Sequence, residues 1–168
     1  MTKGRETVEH VRRVVTGDLP EGGSVFTHVE EVEPRRLGGD VLRYPVWGWD
    51  QVPTLPVTDP QTIQAHAIPE GPGGARIETW VLPPGFPREG GHPDAGRMHS
   101  TDTVDIIFVL DGELCLRTSA DEREVTLRRG DIVVQNGAVH AWRNPIDVPC
   151  VLGFVFFGTV RDGGSNTE

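Results

Sequence analysis

Two short blocks of this chain carry side chains of the kinds that transfer protons or bind metal ions. The first block holds His99 and Asp105, and the second holds His140. The charge of an imidazole changes near neutral pH, and a neighbouring carboxylate raises its pKa and fixes its tautomer. Two imidazoles and one carboxylate are also enough ligands for a divalent ion such as Fe(II), Mn(II), Zn(II) or Ni(II). The three residues therefore predict a catalytic centre, either an acid–base centre or a metal centre.

Alternation along a strand predicts that these groups face one cavity. Successive side chains of a strand point to opposite faces, so His99, Thr101, Thr103 and Asp105 are expected on one face. A polar row directly before the apolar residues 106–110 is unusual for a core face and is expected where a face lines a cavity. Threonines are ordinary strand formers, but their hydroxyl groups also bind ligands. We predict Thr101 and Thr103 as substrate contacts.

Three further residues are predicted to contact a substrate. Gln135 precedes an Asn-Gly turn and is expected to point inward as a polar contact. Trp142 shares the face of His140, where it either lines the pocket or packs in the core. Trp47 is two residues from Trp49, so both face the same way in an extended segment. Trp47 is predicted as an aromatic wall of the pocket, or alternatively as a lid or a subunit contact.

The elements that position these residues are predicted to be short strands. Glycine and proline number 21 and 14, which favours strands joined by tight turns over long helices. About ten strand-like segments follow one another without an amphipathic helix, which predicts a closed or double-sheet all-β architecture. We expect a single domain over residues 11–160, a flexible N-terminus over 1–10 and a disordered tail over 161–168.

Charge and hydropathy exclude several classes of partner. The net charge is −9 and no basic stripe is visible, so nucleic-acid binding is not expected. No apolar run approaches the roughly 20 residues of a membrane span, and the charged N-terminus does not resemble a signal peptide. The expected compartment is the cytoplasm. Cys115 and Cys150 are predicted to be buried reduced thiols.

The first block resembles the first motif of the cupin superfamily, which reads His-x-His, three or four residues, Glu, six residues and Gly. His99, Thr101, Asp105 and Gly112 stand at these positions. A threonine thus replaces the second histidine, and an aspartate replaces the glutamate. The usual metal site of the family, three histidines and a glutamate, is reduced to His99, Asp105 and His140. The resemblance leaves two alternatives open, namely one divalent metal ion on these residues or a metal-free pocket.

The second block resembles the second cupin motif, in which a glycine, a proline, a glycine, a histidine and an asparagine follow one another. Gly130, Gln135, Gly137, His140 and Asn144 stand at these places, with glutamine instead of proline. The resemblance implies a cupin-type double-stranded β-helix, which is a jelly-roll barrel. Asn144 is expected to be structural. The amino-acid sequences of both blocks are similar to those of a subgroup of small single-domain cupins from catabolic and secondary-metabolism settings.

His140, together with His99, Asp105 and the polar row facing a cavity, predicts an enzyme of the lyase or isomerase type that acts on a small carbonyl-bearing or aromatic molecule inside the barrel. Isomerisation, dehydration, cyclisation and decarboxylation share one step, the movement of a proton beside a carbonyl group. An Fe(II)-dependent dioxygenase and a non-catalytic small-molecule binder are the alternatives. The resemblance also implies a homodimer that exchanges strands from residues 11–32.

Overall fold

The fold consists of short antiparallel strands. The computed structural model describes residues 10–37, 40–57, 68–69, 71–88, 96–121 and 123–162. Within these ranges the chain forms eleven strands and no helix, so the prediction of an all-β chain is confirmed. The strands are β1 (Val11–Asp18), β2 (Ser24–Val32), β3 (Arg35–Leu37), β4 (Val41–Trp49), β5 (Ala75–Leu82), β6 (Thr103–Asp111), β7 (Glu113–Thr118), β8 (Val125–Arg128), β9 (Ile132–Asn136), β10 (His140–Arg143) and β11 (Cys150–Gly158).

The strands form three sheets. A six-stranded sheet has the order β3-β4-β5-β11-β6-β9, a three-stranded sheet has the order β10-β7-β8, and β1 pairs with β2 in a separate hairpin. The described ranges contain no helix that is long and apolar enough to span a membrane.

The apolar core lies between the six-stranded and the three-stranded sheet. Phe154 on β11 is directly opposite Ile107 on β6 and Glu78 on β5, and residues directly opposite one another share a face. This register defines the interior face of the six-stranded sheet. The buried core residues come from both sheets and are Leu82, Ile107, Val109, Leu114, Leu127, Cys150, Leu152, Phe154 and Phe156.

The outer face of the six-stranded sheet is partly covered by the β1–β2 hairpin. Val32 at the end of the hairpin packs with Tyr44, Val81 and Val151 in a second, smaller cluster. Arg13 of β1 donates from Nη1 to the Val46 carbonyl oxygen at 3.0 Å. The hairpin is therefore anchored on β4, on the side of the sheet that faces away from the core.

Asn144 links the ends of three strands. Its side chain is fully buried, and its Nδ2 donates to the carbonyl oxygens of Leu82, Pro83 and Val148 at 3.3, 3.0 and 2.9 Å. Its Oδ1 accepts from the Ile146 N–H at 3.2 Å. Since β5 ends at Leu82 and β11 begins just after Val148, the asparagine holds these ends beside the end of β10. The expectation that Asn144 is structural is confirmed.

Candidate functional site

A β-bridge brings His99 and His140 together. The His99 N–H donates to the His140 carbonyl oxygen at 3.0 Å, and the His140 N–H donates to the His99 carbonyl oxygen at 2.9 Å. Residues that exchange both hydrogen bonds are directly opposite, and here the centroids of the two imidazole rings are 4.5 Å apart. His140 is buried, whereas His99 is exposed. The pair therefore has one imidazole in the interior and one in contact with solvent.

Backbone carbonyl groups fix the tautomer of each imidazole. His140 Nδ1–H donates to the Ala138 carbonyl oxygen at 2.8 Å, and His99 Nδ1–H donates to the Arg97 carbonyl oxygen at 3.0 Å. A carbonyl oxygen only accepts hydrogen bonds, so Nδ1 carries the proton in the neutral form of both rings. The lone pair then lies on Nε2, which is the arrangement found in general bases and in metal-ligating histidines.

Asp105 supplies a buried carboxyl group. It lies on the interior face of β6, directly opposite Phe156, and only 4% of it is exposed. Among the described residues, no group donates a hydrogen bond to its Oδ1 atom. Burial raises the pKa of Asp105, against smaller lowering effects of a hydrogen bond from Thr103 and the charge of His99. Asp105 thus keeps its proton to a higher pH than an ordinary aspartate does.

His140 is shifted towards its neutral form as well. Burial lowers the pKa of His140, and a positive charge on His99 lowers it further, while the hydrogen bond to Ala138 opposes both effects. A carboxylic acid that retains its proton and an imidazole that remains unprotonated are a proton donor and a proton acceptor. Burial, which disfavours either charged form, is the common cause.

His99 reaches the site through the bridge to His140 and not by strand alternation. The predicted straight strand from His99 to Asp105 is interrupted, because β6 begins only at Thr103. Thr101 nevertheless stays close, since its Oγ1 lies 2.7 Å from the Thr103 Oγ1. Thr101 and Thr103 therefore stay in contact, and only Thr103 and Asp105 of the predicted row lie in regular strand.

Gln135 holds the turn that orients His140. It lies opposite Asp105 in the β6–β9 pair, and it is buried. Its Nε2 donates to the Ala138 carbonyl oxygen at 2.9 Å, the same oxygen that accepts from His140. Gln135 thus supports the imidazole, and the substrate contact expected for its amide stays a prediction.

The two predicted tryptophans lie in different places. Trp142 packs against the core, and its ring centroid is 5.2 Å from that of His140. Trp47 is paired with Ile77, which places it on the outer face of the sheet. There Arg13 lies 5.7 Å from the Trp47 ring centroid, and His28 makes an edge contact at 5.8 Å. The structure does not bring Trp47 to the interior site, and its position agrees with the alternative of a cover or subunit contact.

Sequence reasoning missed a second polar cluster inside the barrel. Arg43 and Glu78 form a buried ion pair, in which Arg43 Nε donates to Glu78 Oε2 at 2.9 Å. Trp80 Nε1 donates to the same oxygen at 2.6 Å, and the Arg43 guanidinium lies 5.3 Å from the Trp80 ring centroid. Trp80 in turn packs on Phe154 at 4.8 Å. The alternating polar residues of β5 were the available signal, but Arg43 is 35 residues away in the chain.

The donor types at the site are those that divalent metal ions bind, namely two Nε2 atoms and one carboxylate oxygen. Over the ranges given above, however, no group of three or more His, Cys, Asp or Glu side chains is arranged to hold a metal ion. The placement therefore does not form a metal-ligand set, and we derive no step through a metal ion. A metal on His99, Asp105 and His140 stays a prediction.

Comparisons with known proteins agree with the fold. Residues 79–157 match the family model of the cupin domain. The structure superposes on the cupin domain of Schizosaccharomyces pombe Cnp3 with a TM-score of 0.52 and 6% identity, covering 88% of this chain and 87% of that chain. At this identity, the likeness supports the fold and not the function.

Two relatives carry names from biosynthetic gene clusters. The chain is 46% identical over 55 residues to oryzines biosynthesis cluster protein J of Aspergillus oryzae, which covers 32% of this chain and 30% of that protein. It is 29% identical over 140 residues to phomopsin biosynthesis cluster protein C′ of Diaporthe leptostromiformis, covering 79% and 69%. The chain thus spans less than a third of the first relative. Together with the two facing sheets and both motif blocks, the family-model match over residues 79–157 shows that the chain carries a small cupin domain.

Proposed function

We propose that this protein is an enzyme that moves a proton on a small carbonyl-bearing or aromatic metabolite inside the cupin barrel. The observation that carries the proposal is that Asp105 and His140 are both buried, since burial raises the pKa of the acid and lowers the pKa of the imidazole. The cluster names of the two relatives support a metabolite as substrate.

Each of the three residues has a distinct role in this proposal. His140 Nε2 removes a proton from the carbon next to a carbonyl group, and Asp105 gives its proton to the carbonyl oxygen, which yields an enol. Return of a proton at another carbon gives an isomer, and loss of a neighbouring hydroxyl group as water gives a dehydrated product. His99 is exposed beside His140 and exchanges protons with solvent.

The proton transfer can be tested before the complete reaction is known. The protein is incubated in D₂O with a panel of β-keto and phenolic metabolites, and loss of each C–H signal is followed by ¹H NMR. We expect exchange with at least one metabolite, and His140→Gln and Asp105→Asn are expected to slow it about 10²–10⁴-fold. His10→Gln is the control, because His10 is exposed and pairs with Glu31 on the hairpin.

Two outcomes of this test contradict the proposal. If His140→Gln exchanges protons as fast as the wild type, His140 is not the base. If metabolites bind without any exchange, a non-catalytic small-molecule binder is favoured over an enzyme.

A metal-dependent oxygenase is the second candidate. It is favoured by the two Nε2 lone pairs and by the Oδ1 of Asp105, which has no partner in the described part of the chain. His99, Asp105 and His140 would hold the ion only after a rearrangement, because their described side chains are not arranged as a metal-ligand set. Metal analysis of protein purified without chelator distinguishes the candidates. Stoichiometric iron with oxygen uptake supports the oxygenase, and proton exchange that survives EDTA supports acid–base chemistry.

We infer that the functional unit is a homodimer. On the β1–β2 hairpin, Val14, Phe26 and Val29 are 51, 72 and 51% exposed. A second apolar surface lies on the outer face of β6 and β9, where Ile132 and Val134 are 60 and 58% exposed. Contiguous exposed apolar surface marks an interaction site, and a second copy supplies a matching apolar surface for each. This supports the exchange of residues 11–32 between two subunits.

The state of the cysteines supports a reducing compartment, for which the cytoplasm is our proposal. Cys115 and Cys150 are both free and buried, and burial raises the pKa of the Cys150 thiol to about 12. Both thiols therefore behave as small apolar core groups.

A further inference from the structure

Arg161 bridges the two loops that lead to the site. It lies in the segment that follows β11, and its Nε–H donates to Asp102 Oδ1 at 2.7 Å. Its Nη2 donates to the carbonyl oxygens of Thr101 and Gly137 at 3.1 and 3.0 Å. The same segment is held by its backbone, because the Thr159 N–H donates to the Asp102 carbonyl oxygen at 3.0 Å. One guanidinium thus binds three acceptors on two separate loops.

Both loops end in groups that orient the site. The first loop runs from His99 to β6, and the Thr101 hydroxyl within it bonds Thr103. The second loop is the turn at Gly137, and the next carbonyl group, that of Ala138, accepts from His140 Nδ1. The two loops therefore flank the His99–His140 bridge on both sides.

The turn at Gly137 is shaped around the guanidinium. Gly137 has a φ of 61°, and a Cβ at this position would lie 3.0 Å from Arg161 Nη2 and 3.3 Å from the Thr101 carbonyl oxygen. Glycine is the residue that adopts this backbone conformation without strain, and it also leaves the space that Arg161 occupies.

Hydrogen-bond geometry, and not charge alone, determines how Arg161 binds the two loops. The Arg161 and Asp102 side chains are 42 and 34% exposed, and ion pairs at such positions contribute little to stability. A cavity of about 230 Å³ lies between the same loops, lined by Thr103, Asn136 and Thr159 among others, so packing there is incomplete. A planar guanidinium directs several donors at fixed angles, which the single ammonium group of lysine does not do.

We propose that Arg161 is a positioning residue that sets the distance between His99 and His140 by holding the two loops together. Its catalytic purpose rests on the proposed function, but the bridge itself is measurable in the resting protein. The sequence predicts Arg161 to lie in a disordered tail over residues 161–168. No local pattern reveals its three acceptors, which lie 24 to 60 positions away in the chain.

Hydrogen exchange of two backbone amides tests the proposal. The His99 and His140 amides form the β-bridge, and their exchange is followed by NMR in the full chain. In Arg161→Ala we expect both amides to exchange at least about tenfold faster, while the β5 and β11 amides keep their rates. Arg161→Lys is expected to give an intermediate rate. Arg88→Ala is the matched control, because Arg88 is 45% exposed and likewise binds a carboxylate and a backbone carbonyl.

Two results would overturn the proposal. The first is exchange of both amides in Arg161→Ala within about twofold of the wild-type rate. The second is an equally large effect in Asp102→Asn, which removes the charge of the pair but leaves both carbonyl contacts. The two proposals can fail separately. Faster amide exchange in Arg161→Ala would support the positioning role, even if the wild-type protein moves no proton on any metabolite, a result that would contradict only the proposed function.

Discussion

At the residue scale, one physical effect shifts the pKa values of Asp105 and His140 in opposite directions. Removal of water disfavours the carboxylate and the imidazolium alike, so the pKa of Asp105 is raised and that of His140 is lowered. The contact between His99 and His140 then places an exposed imidazole beside the buried one. A site with buried ionisable side chains lowers the free energy of unfolding of the protein.

The first prediction concerns that stability. A buried acceptor without a partner costs about 1–3 kcal/mol, and Oδ1 of Asp105 is such an atom within the described structure. Asp105→Leu, which is similar in size and apolar, is expected to raise the free energy of unfolding at neutral pH by about 1 kcal/mol or more and to abolish activity. Urea unfolding measures the change.

Thr103→Val is the control for this substitution. The Thr103 hydroxyl is fully buried and bonded to both Thr101 and Asp105, so its removal is expected to lower stability by about 1 kcal/mol. If Asp105→Leu destabilises the protein more than Thr103→Val does, Asp105 is a structural group and the account of it is wrong.

The second prediction concerns pH. The folded pKa of His140 is below its ordinary value of 6.5, so the unfolded chain binds this proton more readily than the folded protein. Stability is then lost as pH falls below 6.5, and His140→Gln removes that part of the dependence. Asp105 acts in the opposite sense, because its folded pKa is above 3.8 and stability is lost as pH rises through the folded value.

Denaturant unfolding from pH 3.8 to about pH 8 covers the range of both effects. Wild-type and His140→Gln stabilities are expected to diverge from each other towards low pH. Parallel curves for the two proteins would show that folding does not shift the pKa of His140.

At the element scale, two glycine turns have similar backbone conformations but differ in how closely other atoms approach them. Gly112 and Gly130 have φ values of +82° and +95°. A Cβ at Gly112 would lie 2.7 Å from the Pro149 carbonyl oxygen and 2.9 Å from the Cys150 Cα, whereas at Gly130 no described atom lies within 4 Å. A side chain at Gly112 would thus be both strained and crowded, whereas one at Gly130 would only be strained.

The third prediction follows from this difference. Gly130→Ala is expected to cost about 1–2 kcal/mol for the left-handed backbone, and Gly112→Ala about 1–3 kcal/mol more for the clash with β11. Thermal unfolding of both variants measures the difference. Equal losses would show that the close approach of β11 to Gly112 does not constrain this turn.

Elements were easier to predict from the sequence than the contacts between them. Glycine turns and β-branched runs predicted the strands, and the spacing of the motifs predicted that His99 and His140 meet. Strand alternation did not predict that the segment before Thr103 is irregular, because the β-bridge to a residue 41 positions later fixes His99. The Arg43–Glu78 pair and the Arg161 contacts join residues 35 and up to 60 positions apart, and no local pattern encodes such partners.

At the scale of the whole molecule, the proposed homodimer depends on the β1–β2 hairpin. Its only strongly buried apolar residue in the described chain is Val32, and Phe26 is 72% exposed. A two-stranded hairpin is marginally stable in isolation. The hairpin therefore gains most of its stability if a second subunit covers its apolar side chains.

The fourth prediction tests this assembly. Phe26→Lys and Val134→Lys are each expected to weaken dimerisation more than about tenfold, because a charge replaces apolar surface at the interface. Light scattering after size exclusion measures the mass. Val52→Lys is the control, since Val52 is 73% exposed and belongs to neither apolar surface. A wild-type monomer at micromolar concentration, or an unchanged dimer in both variants, would contradict the homodimer.

The central claim is that burial turns Asp105 and His140 into a proton donor and a proton acceptor. A pH titration of the wild-type protein by ¹³C and ¹⁵N NMR, following the Asp105 carboxyl carbon and the His140 ring, tests it without a substrate. The account predicts an Asp105 midpoint above 3.8, a His140 midpoint below 6.5 and an unprotonated Nε2 on His140 at neutral pH. Midpoints at or on the other side of these values, or a proton on Nε2 at neutral pH, would contradict it.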